Sequence, residues 1–294
     1  MRISIQAVRE GLGAVNGTRR MWFVFWFWNL AFALAFAAPV AALLVRNLGH
    51  SLYAQEMLAG FDVQWVTEFL LETRGWPAVM LGPLAIVVAA GYLLLSAFLA
   101  GGAITVFAAP EPRYVPAAFW QGCGRNFGRL FRLLVYSLPA YAVVMAVNVG
   151  LAKLGQWIWR DSMQEKPVVL FGWGRVALVL LLFLFVNMVF DYARIRLVAE
   201  DSRKSLRAAL GSFRFAWRNL GPASGTYAAV LLLAAALFAT YWLLCGLLPR
   251  HHLVWLLLVL LVQQAYLIAR LGVRLLFFAS QTGLYLMLTA PEFR

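Results

Sequence analysis

The sequence predicts an all-α, polytopic membrane fold: six transmembrane helices built as three repeated units, each an in-plane amphipathic helix followed by a transmembrane hairpin. Three observations predict it. Of 294 residues, 63% are hydrophobic and 13% charged, against roughly half and a quarter in soluble domains, which excludes a water-soluble globule. Six segments reach the roughly 20 mostly apolar residues needed to cross a hydrocarbon layer. Similar basic stretches precede spans one, three and five, the mark of an internal repeat.

The elements follow in chain order. Ile5, Val8, Leu12 and Val15 fall at helical spacing, with Arg2 and Arg9 on the other face, so the chain opens with an amphipathic helix. Span one covers 21–45. The pair Arg19-Arg20 before it is similar to a twin-arginine export signal, and Ala35-Phe36-Ala37 to a cleavage site. The apolar run is too long for a signal core and more spans follow, so the segment is kept as a membrane helix. The connection 46–76 is the longest; Asp62 caps a short outer helix whose stripe is Trp65, Val66, Phe69 and Leu70, with Gln64, Glu68 and Glu72 toward water. Span two covers 77–100. A second amphipathic stretch has Phe119, Cys123, Phe127 and Leu130 opposite Arg125, Arg129 and Arg132, and leads into span three at 130–154.

Span four covers 175–190 and continues as an apolar stretch beyond it; at its inner end stands Asp191-Tyr192-Ala193-Arg194, whose first and last residues share a helical face where they can pair. The third amphipathic stretch sets Leu206, Leu210, Phe213 and Trp217 against Arg203, Arg207, Arg214 and Arg218. Spans five (222–248) and six (253–268) are joined by Pro249-Arg250-His251-His252, a tight hairpin, and Arg270 and Arg274 stand one turn apart beyond span six. Pro39, Pro83 and Pro139 lie inside spans, where a missing donor permits a kink. Arg125-Asn126-Phe127-Gly128 and Arg218-Asn219-Leu220-Gly221 mark equivalent junctions, with Asn16-Gly17 and Arg19-Arg20 as a looser counterpart. A single membrane domain, 1–294, thus divides into units of about 1–109, 110–200 and 201–294. Hairpins of one orientation make a parallel repeat, which favours a pseudo-three-fold bundle whose axis holds a lipid or a small cavity.

The net charge of +13 is uneven. Eighteen of the 25 basic residues and six of the 12 acids fall on the termini and the second and fourth connections, so that side carries +12 and the other +1. Basic residues stay on the cytoplasmic side, which predicts both termini there, in a bacterial inner membrane. Lying between apolar spans, these charges point to anionic lipid as the partner rather than nucleic acid. The residues expected to contact lipid headgroups are Arg125, Arg129, Arg132, Arg203, Lys204, Arg207, Arg214 and Arg218. Asp191 with Arg194, and Arg270 with Arg274, are expected to clamp the inner interface or to gate a pathway. Asn29, Asn148, Asn187, Gln263 and Gln264 are the deeper polar groups, too few to line a water-filled pore and suited to joining helices.

Chemistry beyond this is sparse. Cys123 and Cys245 are expected on opposite sides, which leaves no disulfide. His50, His251 and His252 offer no metal-binding spacing. Gly11-Leu12-Gly13 and Gly122-Cys123-Gly124 fail the spacing of a dinucleotide loop and suit close helix packing instead. With no nucleophile elbow or HExxH motif, the expectation is a protein that is not an enzyme and carries no catalytic residue, metal or cofactor.

The in-plane basic helix, the hairpin, the Arg-Asn-x-Gly lead-in and the Asp-x-x-Arg exit resemble a broad group of poorly characterised bacterial six-helix membrane proteins. The pattern is similar to the membrane domain attached to some glycerophosphodiester phosphodiesterases. Their catalytic barrel needs roughly 200 further residues and is not expected in residues 1–294, so no catalytic residue carries over. Lipid association is what the resemblance implies. The expected function is therefore a non-enzymatic, lipid-associated membrane protein, or the membrane subunit of a larger assembly with protein partners in the membrane. The alternative is a transporter for an amphipathic small molecule or lipid, with Asp191 and Arg194 as its gate.

Overall fold

In lipid, a backbone that crosses the membrane must satisfy its own polar groups, and a helix does so within one segment. The computed structural model describes residues 2–48, 77–160, 165–202, 204–248 and 253–289, and their regular structure is entirely helical. Eight helices are described: α1 (Arg2–Gly17), α2 (Arg19–Leu48), α3 (Pro77–Phe107), α4 (Pro116–Ile158), α5 (Glu165–Ala199), α6 (Ser205–Arg218), α7 (Leu220–Leu247) and α8 (Leu253–Thr289). Six of them, all but α1 and α6, are long and apolar enough to cross a membrane. The expected outer helix around Asp62, the hairpin at 249–252, the three histidines and Arg203 lie outside the described residues.

One boundary differs from the sequence reading. Residues 116–130 are not a separate helix: α4 runs unbroken for 43 residues, roughly 65 Å at 1.5 Å per residue, about twice the hydrocarbon thickness. The reason lies at one position. Pro222, three residues into α7, cannot donate to the carbonyl of residue 218, and its ring would strike that carbonyl, so the chain breaks between α6 and α7. In the matching Arg-Asn-x-Gly stretch Arg129 stands where Pro222 does, and the α4 ladder continues. Asp191 and Arg194 lie on α5, which continues to Ala199, as the apolar stretch beyond residue 190 leads one to expect.

A side chain closes the turn at each junction. Thr18 Oγ1 donates to the Ala14 carbonyl at 3.1 Å, Asn126 Nδ2 to Gly122 at 2.9 Å and Asn219 Nδ2 to Phe215 at 2.9 Å, always four residues back.

The three hairpin-closing helices α3, α5 and α8 touch one another, and α2, α4 and α7 pack around them. Helix α1 rests on α8 and α7, the start of α4 on α3, and α6 on α5. These docks use small residues, because without a hydrophobic drive in lipid, helices associate by close approach. Gly11 is one such point: a Cβ there would come within 2.9 Å of the Ser280 backbone nitrogen. Gly102 is another, where a Cβ would stand 2.7 Å from the Phe119 carbonyl.

Burial is concentrated at one end of the bundle. Core positions run over Met21 and Phe25 in α2, Leu99 to Phe107 in α3, Met188 to Leu197 in α5 and Leu271 to Tyr285 in α8. The far halves expose Ile86, Leu170, Trp173, Leu232, Trp242 and Leu261, as expected of helix surfaces that face lipid tails.

Candidate functional site

An arginine at the centre of a membrane helix costs about 2.5–3.5 kcal/mol on insertion scales, so a retained one needs a partner or a task. The structure gathers Asn187, Asn29 and Gln264 of the deeper polar residues into two clusters, one around Asp191 and Arg194 and one around Arg274.

The first is centred on Asp191, only 6% exposed. Arg194 Nη1 donates to its Oδ1 at 3.1 Å. Asn187 Nδ2 donates to its Oδ2 at 3.2 Å, and the Tyr227 hydroxyl donates to the same oxygen from α7. Tyr141 of α4 donates to Asn187 Oδ1 at 3.3 Å, and the fully buried Gln281 of α8 lies beside Asp191 and Tyr227. Four helices therefore converge on one carboxylate. The spacing of Asp191 and Arg194 was legible as a pair in the sequence; the tyrosines were not, because Tyr141 and Tyr227 stand 50 and 36 residues from Asp191 and nothing local ties them to it.

The second cluster is centred on Arg274 of α8. Its Nη1 donates to the Tyr92 hydroxyl at 3.0 Å and its Nη2 to Ser96 Oγ at 2.6 Å, both on α3. The guanidinium carbon lies 6.0 Å from the Phe25 ring centroid and 5.9 Å from that of Phe278, within cation–π range. Tyr92 in turn donates to Asn29 Oδ1 at 2.9 Å, and Trp26 Nε1 donates to Gln264 Oε1 at 3.3 Å. Trp26, Asn29, Tyr92, Gln264, Arg270 and Arg274 line a cavity of about 280 Å³ between α2, α3 and α8. Arg270 and Arg274, one turn apart, are thus brought to one cavity, whereas Asp191 and Arg194 form the separate cluster. Among the described residues neither Arg270 nor Arg274 has a carboxylate within ion-pair distance.

The basic residues expected at headgroups separate into two sets. Arg125 and Arg129 both pair with Asp201, Arg129 at 2.6 Å with its side chain only 12% exposed. Asp201 has a left-handed backbone, φ 47°, a conformation aspartate tolerates better than most residues. The Arg129 guanidinium, with Arg125, holds the Asp201 carboxyl below the usual carboxylate range. The Ser205 hydroxyl also donates to the Arg129 carbonyl at 3.2 Å, so the head of α6 is tied to α4. Arg132 remains exposed, donating to the Gly128 carbonyl, and Lys204, Arg207, Arg214 and Arg218 are exposed.

The apolar stripes separate too. In α6 the buried face is Ser205, Ala208, Ser212 and Ala216, while the large residues Leu206, Leu210, Phe213 and Trp217 are 49–66% exposed. In α4 the equivalent stripe is inverted: Phe119 and Cys123 are buried against α3, and Leu130 against Gly101 of α3 and Phe190, Ala193 and Leu197 of α5, which corrects the expectation that this stripe lies in the membrane interface. Gly101, Gly102 and Gly122 let α3 and α4 approach closely enough to cover it. Helix α1 is intermediate, burying Val15 and exposing Ile5 and Leu12.

No protein family, curated protein or solved structure matches the chain.

Proposed function

We propose that this integral membrane protein associates with anionic lipid through interfacial helices on the face that carries α1 and α6. One observation carries the reading: α6 docks on the bundle with its small residues and presents Leu206, Leu210, Phe213 and Trp217 outward beside Arg207, Arg214 and Arg218. A helix with an outward apolar stripe and flanking guanidiniums sits at the boundary of headgroups and acyl chains. Each such charge near an anionic surface contributes roughly 1 kcal/mol, reduced by salt. On this reading the face is cytoplasmic, both termini lie there, and no catalytic step is required. The membrane is then a bacterial inner membrane, and a role as the membrane subunit of a larger assembly is compatible with it.

The three-unit organisation supports the same reading. Thr18, Asn126 and Asn219 make the same backbone hydrogen bond at the three junctions. Each lead-in segment rests on a hairpin-closing helix of another unit: α1 on α8, the start of α4 on α3, α6 on α5. A cyclic exchange of this kind is what a parallel three-fold repeat produces.

A spin label on Leu210→Cys in the full chain carrying Cys245→Ala, reconstituted in anionic and in neutral vesicles, tests the reading. The label is expected about 5–10 Å below the headgroup boundary in anionic vesicles, and shallower when Arg207, Arg214 and Arg218 are all changed to Gln. A label freely accessible to water-soluble relaxation agents in anionic vesicles overturns it. A transport function is favoured by one observation, the deep cavity beside Arg274, and is separated from the lipid-associated role by the Asp191→Asn experiment below.

A further inference from the structure

We propose that the cavity lined by Arg270 and Arg274 is a binding site for the phosphate of an amphipathic anion, whose apolar portion lies in the adjoining aromatic groove between α2 and α8. The inference deepens the lipid-association reading and rests on it for the class of ligand.

Charge is the first ground. Asp191 is ion-paired with Arg194 and attracts Arg274 only at longer range, so neither Arg270 nor Arg274 has a carboxylate within ion-pair distance among the described residues. Tyr92 and Ser96 accept hydrogen bonds from Arg274 but are neutral, so they orient the guanidinium without cancelling its charge. Arg270 forms no hydrogen bond or ion pair in the described residues, and its side chain lines the cavity. Depth is the second ground. Asn29 and Phe25, the α2 residues at this level, lie ten and six residues beyond Arg19, roughly 15 and 9 Å along the helix. Two cations at that depth of a hydrocarbon layer mark a ligand or ion path by default.

Shape selects the ligand. The cavity holds about 280 Å³, too little for a whole lipid and sufficient for a headgroup with its phosphate. Guanidinium forks one helical turn apart match the several oxygens of a phosphate. The Gln264 amide and Asn29 supply further polar contacts at the wall. Trp26 is shared with a second cavity of about 430 Å³, lined by Trp22, Phe23 and Ile268 and reaching Arg19 at the inner end. An anionic head at Arg270 and Arg274 with an apolar chain along Trp22, Phe23 and Trp26 fills both.

The test uses the full chain in mild detergent, with melting temperature and native mass spectrometry as readouts. Three probes are titrated: dioleoyl phosphatidylglycerol, dioleoylglycerol with the same chains and no phosphate, and inorganic phosphate. Phosphatidylglycerol is expected to bind saturably at one per chain and to raise the melting temperature, while dioleoylglycerol does neither. Binding should weaken at least tenfold in R270Q, which breaks no hydrogen bond or ion pair among the described residues, and in R274K, which keeps the charge but not the fork. The unliganded melting temperature of R270Q should equal that of the wild type. Protection by inorganic phosphate with the same dependence on Arg270 assigns the site to free phosphate as well as lipid. Equal binding of the two dioleoyl probes, or phosphatidylglycerol binding unchanged in both variants, overturns the proposal. The triple Arg207, Arg214 and Arg218 to Gln variant should keep the single tight site while losing adsorption to anionic vesicles. Loss of one behaviour without the other therefore shows which of the two readings fails.

Discussion

Arg129, near the inner end of α4, and Asp201, in the turn between α5 and α6, are 72 residues apart in sequence and meet at 2.6 Å. With Arg125 on the same carboxylate, this contact fixes the turn that launches α6. The angle at which α6 leaves the bundle, and hence the direction its Leu210 and Trp217 face, depends on it.

The Asp201 carboxyl is held below its ordinary range, first by the Arg129 hydrogen bond. A depressed folded value contributes stability above the unfolded value of about 3.9 and loses it as pH falls through the folded one. Thermal unfolding of the wild type should therefore be level from neutral pH to about 5 and decline below about 4. Asp201→Asn should remove that part of the decline and blunt its salt dependence. Identical pH profiles for the two proteins would refute the contact's role.

Asp191→Asn removes the charge that matches Arg194 while keeping shape and one acceptor. Loss of hydrogen bonds to a charged group costs about 1.5–3 kcal/mol; the Arg194 side chain, 32% exposed, keeps the effect toward the lower end. Denaturant unfolding in micelles should show this loss if the pair is a clamp. Unchanged stability with abolished flux of an amphipathic anion in vesicles would instead make it a gate.

Two glycines in one short stretch should respond oppositely. At Gly11 a Cβ would press on Ser280 backbone atoms within 2.9–3.1 Å, so Gly11→Ala should cost about 1–3 kcal/mol by overpacking and loosen α1 from α8. At Gly13 nothing lies within 4 Å of an added Cβ, and Gly13→Ala should stabilise by about 0.5–1 kcal/mol through helix propensity. Limited proteolysis within α1 reads both: faster cleavage for the first, slower for the second.

Both thiols are free, Cys123 buried and Cys245 half-buried. A membrane-permeant maleimide should label Cys245 in the folded protein and reach Cys123 only after denaturation. Labelling at equal rates would show that the α3–α4 seam is open.

Six apolar helices and the Asp191–Arg194 pair were legible in the sequence, because both are local. Hydropathy is summed over one window, lipid forces that window into a helix, and residues three apart on a helix share a face. The contacts of Arg274 were not legible, since Tyr92 and Ser96 stand 182 and 178 residues away in otherwise apolar stretches. The break between α6 and α7 was legible, since span five is expected to begin at Pro222; the continuity of α4 was not, because the likeness between Arg125-Asn126-Phe127-Gly128 and Arg218-Asn219-Leu220-Gly221 stops one residue short of the proline.

The amphipathic stripes mark where sequence stops and tertiary structure decides. By itself the sequence determined that Phe119, Cys123, Phe127 and Leu130, like Leu206, Leu210, Phe213 and Trp217, form apolar faces opposite arginines. Packing alone decided that the first face, apart from Phe127, is buried against glycines of α3 and the second is turned outward. Lipid tails and a protein interior are equally apolar, so periodicity cannot distinguish them. The choice belongs to whichever neighbouring helix offers small residues for close approach, and that is known only once the helices are assembled.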